Sequence, residues 1–73
     1  MTFEEFLDSS VFDKSSTYIY IFEYDSKNHL IMDAAGIAAD LLDFRLWEVE
    51  EASINYIDNI ATFRLKEKAY DNP

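Results

Sequence analysis

A run of β-branched and aromatic residues at positions 16–25 constrains the fold more than any other part of the sequence. It contains neither glycine nor proline, and polar, turn-forming segments bound it on both sides. Successive side chains of a strand point to opposite faces, so one face would carry the aromatic residues and the other the β-branched ones. The aromatic row comprises Tyr18, Tyr20, Phe22 and Tyr24. The run therefore predicts the central strand of a small core, or a strand whose tyrosines partly face a partner.

Size and composition favour one small domain that is folded without disulfide bonds. The chain has 73 residues, of which 49% are hydrophobic and 16% aromatic, which is typical of a folded core rather than of disorder. It has no cysteine, so disulfides and thiolate metal sites are excluded. We expect a single compact domain over 1–73 with a frayed tail at 70–73, stabilised by its own packing or by pairing with a second copy.

The charge balance excludes several partner classes. Fifteen acidic residues against six basic ones give a formal net charge of −9, which repels nucleic acid and anionic membranes. The N-terminal segment lacks the pattern of a secretory signal, and no apolar run approaches the roughly 20 residues of a membrane span. The sequence predicts a cytoplasmic protein with no membrane contact and no direct binding to nucleic acid.

Two helices and a first hairpin are predicted around the aromatic strand. The first helix runs from about Thr2 to Val11, because Thr2 followed by Glu5 fits a capping box. Turn-forming residues at 25–28 allow residues 29–34 to return as an antiparallel strand. A second short helix is predicted over 37–44, after the only glycine.

Residues 45–66 have two interpretations. Apolar residues at helical spacing, with no glycine or proline between them, allow one long helix. Alternation before and after Asp58 and Asn59 favours a hairpin, since this pair tolerates the positive φ of a tight turn. The hairpin gives an α+β fold in the order α-β-β-α-β-β, with a four-stranded, mainly antiparallel sheet and helices on one face. An exposed apolar patch on the other face would indicate an interface.

No catalytic, cofactor or metal site is predicted, and we expect a protein without enzymatic activity. His29 is the only histidine and is interpreted as an exposed structural residue. A calcium-loop pattern beginning at Asp25 fails at Lys27 and has neither the glycine nor the closing glutamate. Asp40 and Asp43 are interpreted as a solvated helix face rather than an acid–base pair.

Three basic residues, Arg64, Lys66 and Lys68, recur at every second position. On a strand they would project from one face. We interpret them as the charges that protect an edge strand from unwanted pairing, with a salt-bridging partner contact as the alternative.

The many carboxylates suggest a functional hypothesis, in which their negative charges imitate the phosphates of a nucleic-acid backbone. A duplex carries roughly one charge per 1.7 Å, so rows of carboxylates could occupy a basic groove. The alternative is that the acidic residues serve solubility alone. The acidic candidates for partner binding are Glu4, Glu5, Asp8, Glu23, Asp25, Asp40, Asp43, Glu48, Glu50 and Glu51. Aromatic side chains dominate interface energies, and the candidate anchors are Tyr20, Tyr24 and Trp47.

Several segments in combination resemble small phage or prophage proteins of Gram-positive bacteria. These are the acidic, capped start MTFEEFL, the aromatic strand at 18–24, and the segment Asp40-Leu41-Leu42 followed by a strand pair around Asp58-Asn59. Some such proteins are anti-defence inhibitors, including anti-CRISPR proteins, and several of those are acidic nucleic-acid mimics. The resemblance implies a protein-binding inhibitor and transfers no site residue.

The sequence therefore predicts a noncatalytic, phage-borne inhibitor that uses an acidic and aromatic surface to block a basic nucleic-acid-binding protein of the host. The alternative is a self-associating structural or regulatory module, in which the exposed sheet face pairs with a second copy as a homodimer.

Overall fold

The computed structural model describes residues 1–9 and 12–67. In chain order the elements are α1 (Phe3–Leu7), β1 (Tyr18–Tyr24), β2 (Leu30–Gly36), a 3₁₀ segment (Ala38–Phe44), β3 (Glu48–Asn55) and β4 (Ile60–Lys66). The single-domain assignment of 1–73 stays a prediction, and the tail at 70–73 lies outside the described residues.

The four strands form one mixed sheet in the order β2-β1-β4-β3. The two hairpins, β1–β2 and β3–β4, are antiparallel, but the central strands β1 and β4 run parallel. The predictions of four strands and of a hairpin at 45–66 are confirmed, and the long-helix alternative is wrong. The prediction of a mainly antiparallel sheet holds only within each hairpin, because the central pairing depends on how the hairpins dock.

Asn59 links the two hairpins. It lies in the β3–β4 turn with a φ of 56°, as the turn chemistry predicts. Its backbone oxygen accepts from the Tyr18 amide at 3.1 Å, and its side chain donates to the Ser16 carbonyl oxygen at 2.8 Å. Its Oδ1 accepts from the hydroxyl of buried Thr17 at 3.1 Å. The residue that closes one hairpin thus also holds the start of β1 beside β4.

Helix α1 is shorter than predicted. The capping box is present, with the Glu5 amide donating to Thr2 Oγ1 at 3.2 Å and the Thr2 amide donating to Glu5 Oε1 at 2.8 Å. The helix ends at Leu7, with Asp8 as its C-cap, whereas the predicted end, Val11, lies outside the described residues. Phe12, the next described residue after Ser9, is buried in the core.

The second helical element is a 3₁₀ segment rather than the predicted α-helix. Leu41, with φ −115° and ψ 20°, departs from helical dihedrals and divides the segment into two short turns, and Ala38 and Leu41 are its buried residues. Asp40 Oδ2 accepts from the Ile37 amide at 3.3 Å and so stabilises the start of the segment. Short 3₁₀ turns are common as connectors, and this one joins β2 to β3.

The core lies between one face of the sheet and the helical segments. Its side chains from the sheet are Ile19 and Ile21 of β1 and Ala61, Phe63 and Leu65 of β4, all fully buried. Phe3, Leu7, Phe12, Ala38 and Leu41 cover them. Within the described part of the chain, no helix is long and apolar enough to cross a membrane.

Candidate protein-binding surface

The sheet face opposite the core is covered by no helix or strand of the described residues. We call it the open face. The registers place on it Tyr18, Tyr20, Phe22 and Tyr24 of β1, Asp33 and Ala35 of β2, Thr62, Arg64 and Lys66 of β4, and Glu48, Glu51 and Ser53 of β3. The alternation that buries the core residues of β1 and β4 turns these residues outward.

The aromatic side chains of β1 form a continuous row along the middle of the open face. The ring centroids of Tyr20 and Phe22 are 6.0 Å apart, and those of Phe22 and Tyr24 are 5.4 Å apart. Tyr18 is 52% exposed and Tyr20 is 38% exposed, while Phe22 and Tyr24 are half-buried. Rings with one apolar and one polar end are frequent anchors of protein interfaces.

A hydrogen bond across the first hairpin holds Tyr20. Its hydroxyl donates to Asp33 Oδ2 at 3.0 Å. This bond to a carboxylate stabilises the protonated phenol and raises the pKa of Tyr20 above its usual value. The ring is therefore held in place next to β2 without being buried.

We expect the hydroxyl of Tyr20 to titrate later than an ordinary tyrosine, and Asp33→Ala to return its pKa toward the usual value of about 10. A raised folded-state pKa means that the contribution to stability is present below the unfolded pKa and is lost as the pH rises through the folded one. Carbon-13 NMR of the tyrosine rings against pH measures this directly. Asp43→Ala, which removes a carboxylate outside the open face, should leave the titration unchanged; an equal shift in both variants would contradict the assignment.

Arg64 contacts one aromatic ring and two carboxylates of the sheet. Its guanidinium carbon lies 5.2 Å from the ring centroid of Tyr24, a cation–π distance. Its Nε is 3.8 Å from Glu50 Oε1 and its Nη1 is 3.9 Å from Glu51 Oε1, so both contacts are ion pairs without hydrogen bonds. Arg64 thereby offsets the charge of two carboxylates that were expected to face a partner.

The basic cluster does not mark an edge strand. β4 lies between β1 and β3, so the interpretation of Arg64 and Lys66 as edge protection is wrong. Both residues lie on the open face instead, and Lys68 lies outside the described residues. The two-residue spacing of Arg64 and Lys66 correctly indicates that they share one face of a strand. The sequence does not show which strands become neighbours, and so it does not show whether that strand is an edge.

The acidic candidates are divided between two sides of the molecule. Glu4, Glu5, Asp8, Asp40 and Asp43 belong to the helical segments or their caps, whereas Glu48, Glu50 and Glu51 belong to β3. Three members of the first group contact local partners: Glu5 and Asp40 stabilise segment starts, and Asp8 pairs with Lys14 at 2.6 Å.

Carboxylates near the sheet are also partly engaged. Asp25 Oδ1 accepts from the Lys27 and His29 amides at 2.9 Å, Glu23 accepts from the Glu67 amide at 3.2 Å, and Glu48 pairs with the N-terminal amino group at 2.6 Å. Each of these carboxylates therefore already has a partner within the chain. The geometry therefore favours the aromatic row over a row of carboxylates as the contact surface.

The three aromatic candidates differ in position. Tyr20 and Tyr24 lie on the open face, as an interface anchor requires. Trp47 is half-buried, packs against the core and meets Phe44 edge-on with ring centroids 5.0 Å apart. Tyr18 is not among the predicted anchors, although the alternation that places Tyr20 on the open face places Tyr18 there equally.

A concavity of about 500 Å³ lies on the helical side, away from the open face. Leu7, Ala38 and Leu41 line it with apolar atoms. Its charged residues are the pairs Glu4 and Asp8, and Lys14 and Arg45, so the charges balance and favour no class of partner.

The described residues contain no group of three or more histidine, aspartate or glutamate side chains placed to hold a metal ion. His29 lies in the exposed turn between β1 and β2, with its Nδ1 3.6 Å from Asp25 Oδ2. This contact involves one histidine and one carboxylate, which is too few ligands for a metal site and is typical of a surface turn.

The open face is thus the surface of the described chain that combines exposed aromatic rings, fixed positions and surrounding charge. Comparison of the chain with protein-family models, with curated proteins and with solved structures gave no match.

Proposed function

We propose that this chain is a noncatalytic protein-binding protein and that the open face is its contact surface. The observation that carries the proposal is the row of aromatic side chains on a sheet face that no described element covers. Interface centres are enriched in tyrosine and phenylalanine and depleted in charge, with polar groups at the rim. The row along β1 matches such a centre, and Asp33, Glu48 and Glu51 match such a rim.

Charge specifies the kind of partner. Aromatic rows on sheets also stack on nucleic-acid bases, but those sites combine the rings with a positively charged groove. Here the carboxylates of Asp33, Glu48 and Glu51 outnumber the two basic residues of the open face, Arg64 and Lys66. Arg64 is already paired with glutamates, and the chain carries a net charge of −9. The long-range field therefore favours a basic protein surface and speeds encounter with it.

Proteins that process nucleic acids present such basic surfaces, and an acidic chain bound there would exclude the nucleic acid. We infer an inhibitor of a nucleic-acid-processing protein, acting in the cytoplasm of a bacterial host. The phage origin and the defence-related target rest on the sequence resemblance, and the α+β fold class is part of the same proposal.

A pull-down from a bacterial lysate with tagged wild type and two matched tyrosine variants tests the proposal. Tyr18→Ser removes a ring from the open face, whereas Tyr56→Ser removes a ring that is 71% exposed in the β3–β4 turn. We expect wild type and Tyr56→Ser to retain one basic nucleic-acid-binding protein. Its affinity for Tyr18→Ser should fall about tenfold, the effect of an interface anchor worth about 1.4 kcal/mol. High salt or excess duplex DNA should displace it.

Each other outcome contradicts a defined part of the proposal. Equal recovery by both variants would exclude the open face as the contact. Recovery that resists duplex DNA would exclude competition with nucleic acid while keeping protein binding. Recovery of this chain alone, with a mass that falls on dilution, would replace the proposal with the self-associating module.

A further inference from the structure

The two edges of the sheet differ in how far they are protected against pairing with another strand. Among the described residues β2 has one neighbour, β1, and its outer side pairs with nothing. From Met32 to Gly36 it follows β1 in unbroken register, after an irregularity that leaves Ile31 as an extra residue. A regular edge strand presents a row of backbone donors and acceptors, which is a template for a further strand.

The opposite edge is protected. The Val49 amide of β3 donates to the Met1 carbonyl oxygen at 2.9 Å, and Thr2 forms an isolated bridge with Glu48. The strand also has a register irregularity at Glu50 and carries three glutamates along its length. Coverage, a bulge and charge are the devices by which natural sheets prevent edge pairing.

β2 has few of these devices. It contains no proline or lysine, and Asp33 is its one charged residue. Ala34, Ala35 and Gly36 offer little steric hindrance, and Ile31, 57% exposed, adds apolar surface near the start of the strand. Edges of this composition add strands in complexes where main-chain hydrogen bonds give affinity and alternate side chains give specificity.

We propose that the edge of β2 receives an extended, basic segment of a partner protein as an additional strand. A lysine or arginine placed directly opposite Asp33 would form a favourable cross-strand pair, and the net charge of −9 favours the same sign of partner. The inference goes beyond the proposed function, because backbone pairing at β2 does not require the tyrosines of the open face.

A second copy of the chain fits the edge poorly. Asp33 is the midpoint of β2, so two-fold antiparallel pairing over the full strand would set the two Asp33 carboxylates opposite each other. Like charges directly opposite are destabilising, and both chains would carry the same net charge. The charge pattern therefore selects a basic partner strand.

Amide hydrogen exchange of the nitrogen-15-labelled full chain tests this proposal with synthetic peptides. The probe is a peptide of alternating lysine and valine, matched to the 7 residues of β2. One control peptide alternates glutamate and valine, and a second is the lysine peptide N-methylated at every residue, which removes the backbone donors of both edges. We expect the lysine peptide to slow exchange of β2 amides about tenfold, with β3 amides unchanged. The N-methylated peptide should have no effect.

Two variants separate charge from backbone pairing. Asp33→Lys should weaken binding of the lysine peptide about two- to fivefold and favour the glutamate peptide, as cross-strand charge pairs predict. Asp43→Lys, which makes the same change of charge outside the open face, should bind as wild type does, and so should Tyr18→Ser, which separates this test from that of the proposed function. Unchanged β2 exchange, protection of β3, or equal binding of the glutamate or N-methylated peptide would overturn the proposal. Protection of β2 that rises with protein concentration alone would overturn it in favour of a second copy.

Discussion

Replacement of Phe63 by alanine is expected to lower the free energy of unfolding by about 3–5 kcal/mol. Phe63 is fully buried in β4, and its ring meets those of Phe3, Phe6 and Phe12 edge-on at centroid distances of 5.2, 5.0 and 5.9 Å. The substitution removes the ring that all three share. The cost therefore combines lost burial, lost aromatic contacts and a cavity beside the three remaining rings.

This loss is comparable to the total free energy of unfolding expected for so small a domain. A core of this size supplies only about 3–5 kcal/mol of net stability, so Phe63→Ala should be largely unfolded at 25 °C. Urea unfolding followed by circular dichroism measures the effect. Phe63→Leu keeps the site apolar and should cost less, about 1–2 kcal/mol, which gives a measurable transition even where the alanine variant has none.

Phe22→Ala is the matched control, because it removes the same side chain from the other face of the same sheet. Phe22 is half-buried on the open face, beside Tyr20 and Tyr24. Its loss should cost about 1–2 kcal/mol, since less apolar area leaves water there on folding. If Phe22→Ala were as destabilising as Phe63→Ala, the open face would be part of the core and the assignment of a contact surface would be wrong.

Local features of the sequence could be predicted because their causes are local. The capping box at Thr2 and Glu5 needs only two residues three positions apart, and the strand at 18–24 needs only its alternation. The hairpin at 45–66 was identified because Asn59 tolerates the positive φ that it adopts.

Relations between distant segments could not be predicted in the same way. The parallel pairing of β1 with β4 joins residues about forty positions apart and depends on bonds from Asn59 to Ser16 and Thr17. Either hairpin could have docked through its other strand without any change in local pattern. For that reason the basic pair Arg64 and Lys66 was assigned to an edge, although β4 is an interior strand.

The contact surface was predicted in part for a related reason. Counting the charged residues gives the net charge, but whether each carboxylate faces a partner depends on its neighbours in three dimensions. Asp25 folds back on its own turn, and Glu48 pairs with the N-terminal amino group. The tyrosines were easier to place, because a strand fixes which of its side chains share a face.

Replacement of Gly36 by alanine is the second substitution expected to have a large effect, lowering the free energy of unfolding by roughly 2–5 kcal/mol. Two separate costs combine. Gly36 has a φ of 156°, where side chains are rarely accommodated, and its missing Cβ would lie 3.0 Å from both Cβ and Oδ2 of Asp40. Asp40 cannot rotate away freely, because its Oδ2 accepts from the Ile37 amide.

A double-mutant cycle separates the two costs. In an Asp40→Gly background the steric part of the Gly36→Ala penalty should disappear, giving a coupling energy of about 1–3 kcal/mol, while the backbone part remains. Ala35→Val is the control within β2, since it enlarges an exposed strand residue and should leave stability within about 0.5 kcal/mol of wild type.

Because of the position of Gly36, its substitution also tests whether β2 opens independently of the central strands. It is the last residue of β2, paired with Ile19, and the 3₁₀ segment starts two residues later. Gly36→Ala should therefore accelerate hydrogen exchange first in β2 and the 3₁₀ segment, with β3 and β4 affected only by global unfolding. Uniform acceleration throughout the sheet would instead mean that the edge strand and the central strands open as one unit, and that β2 is no less stable than the strands it flanks.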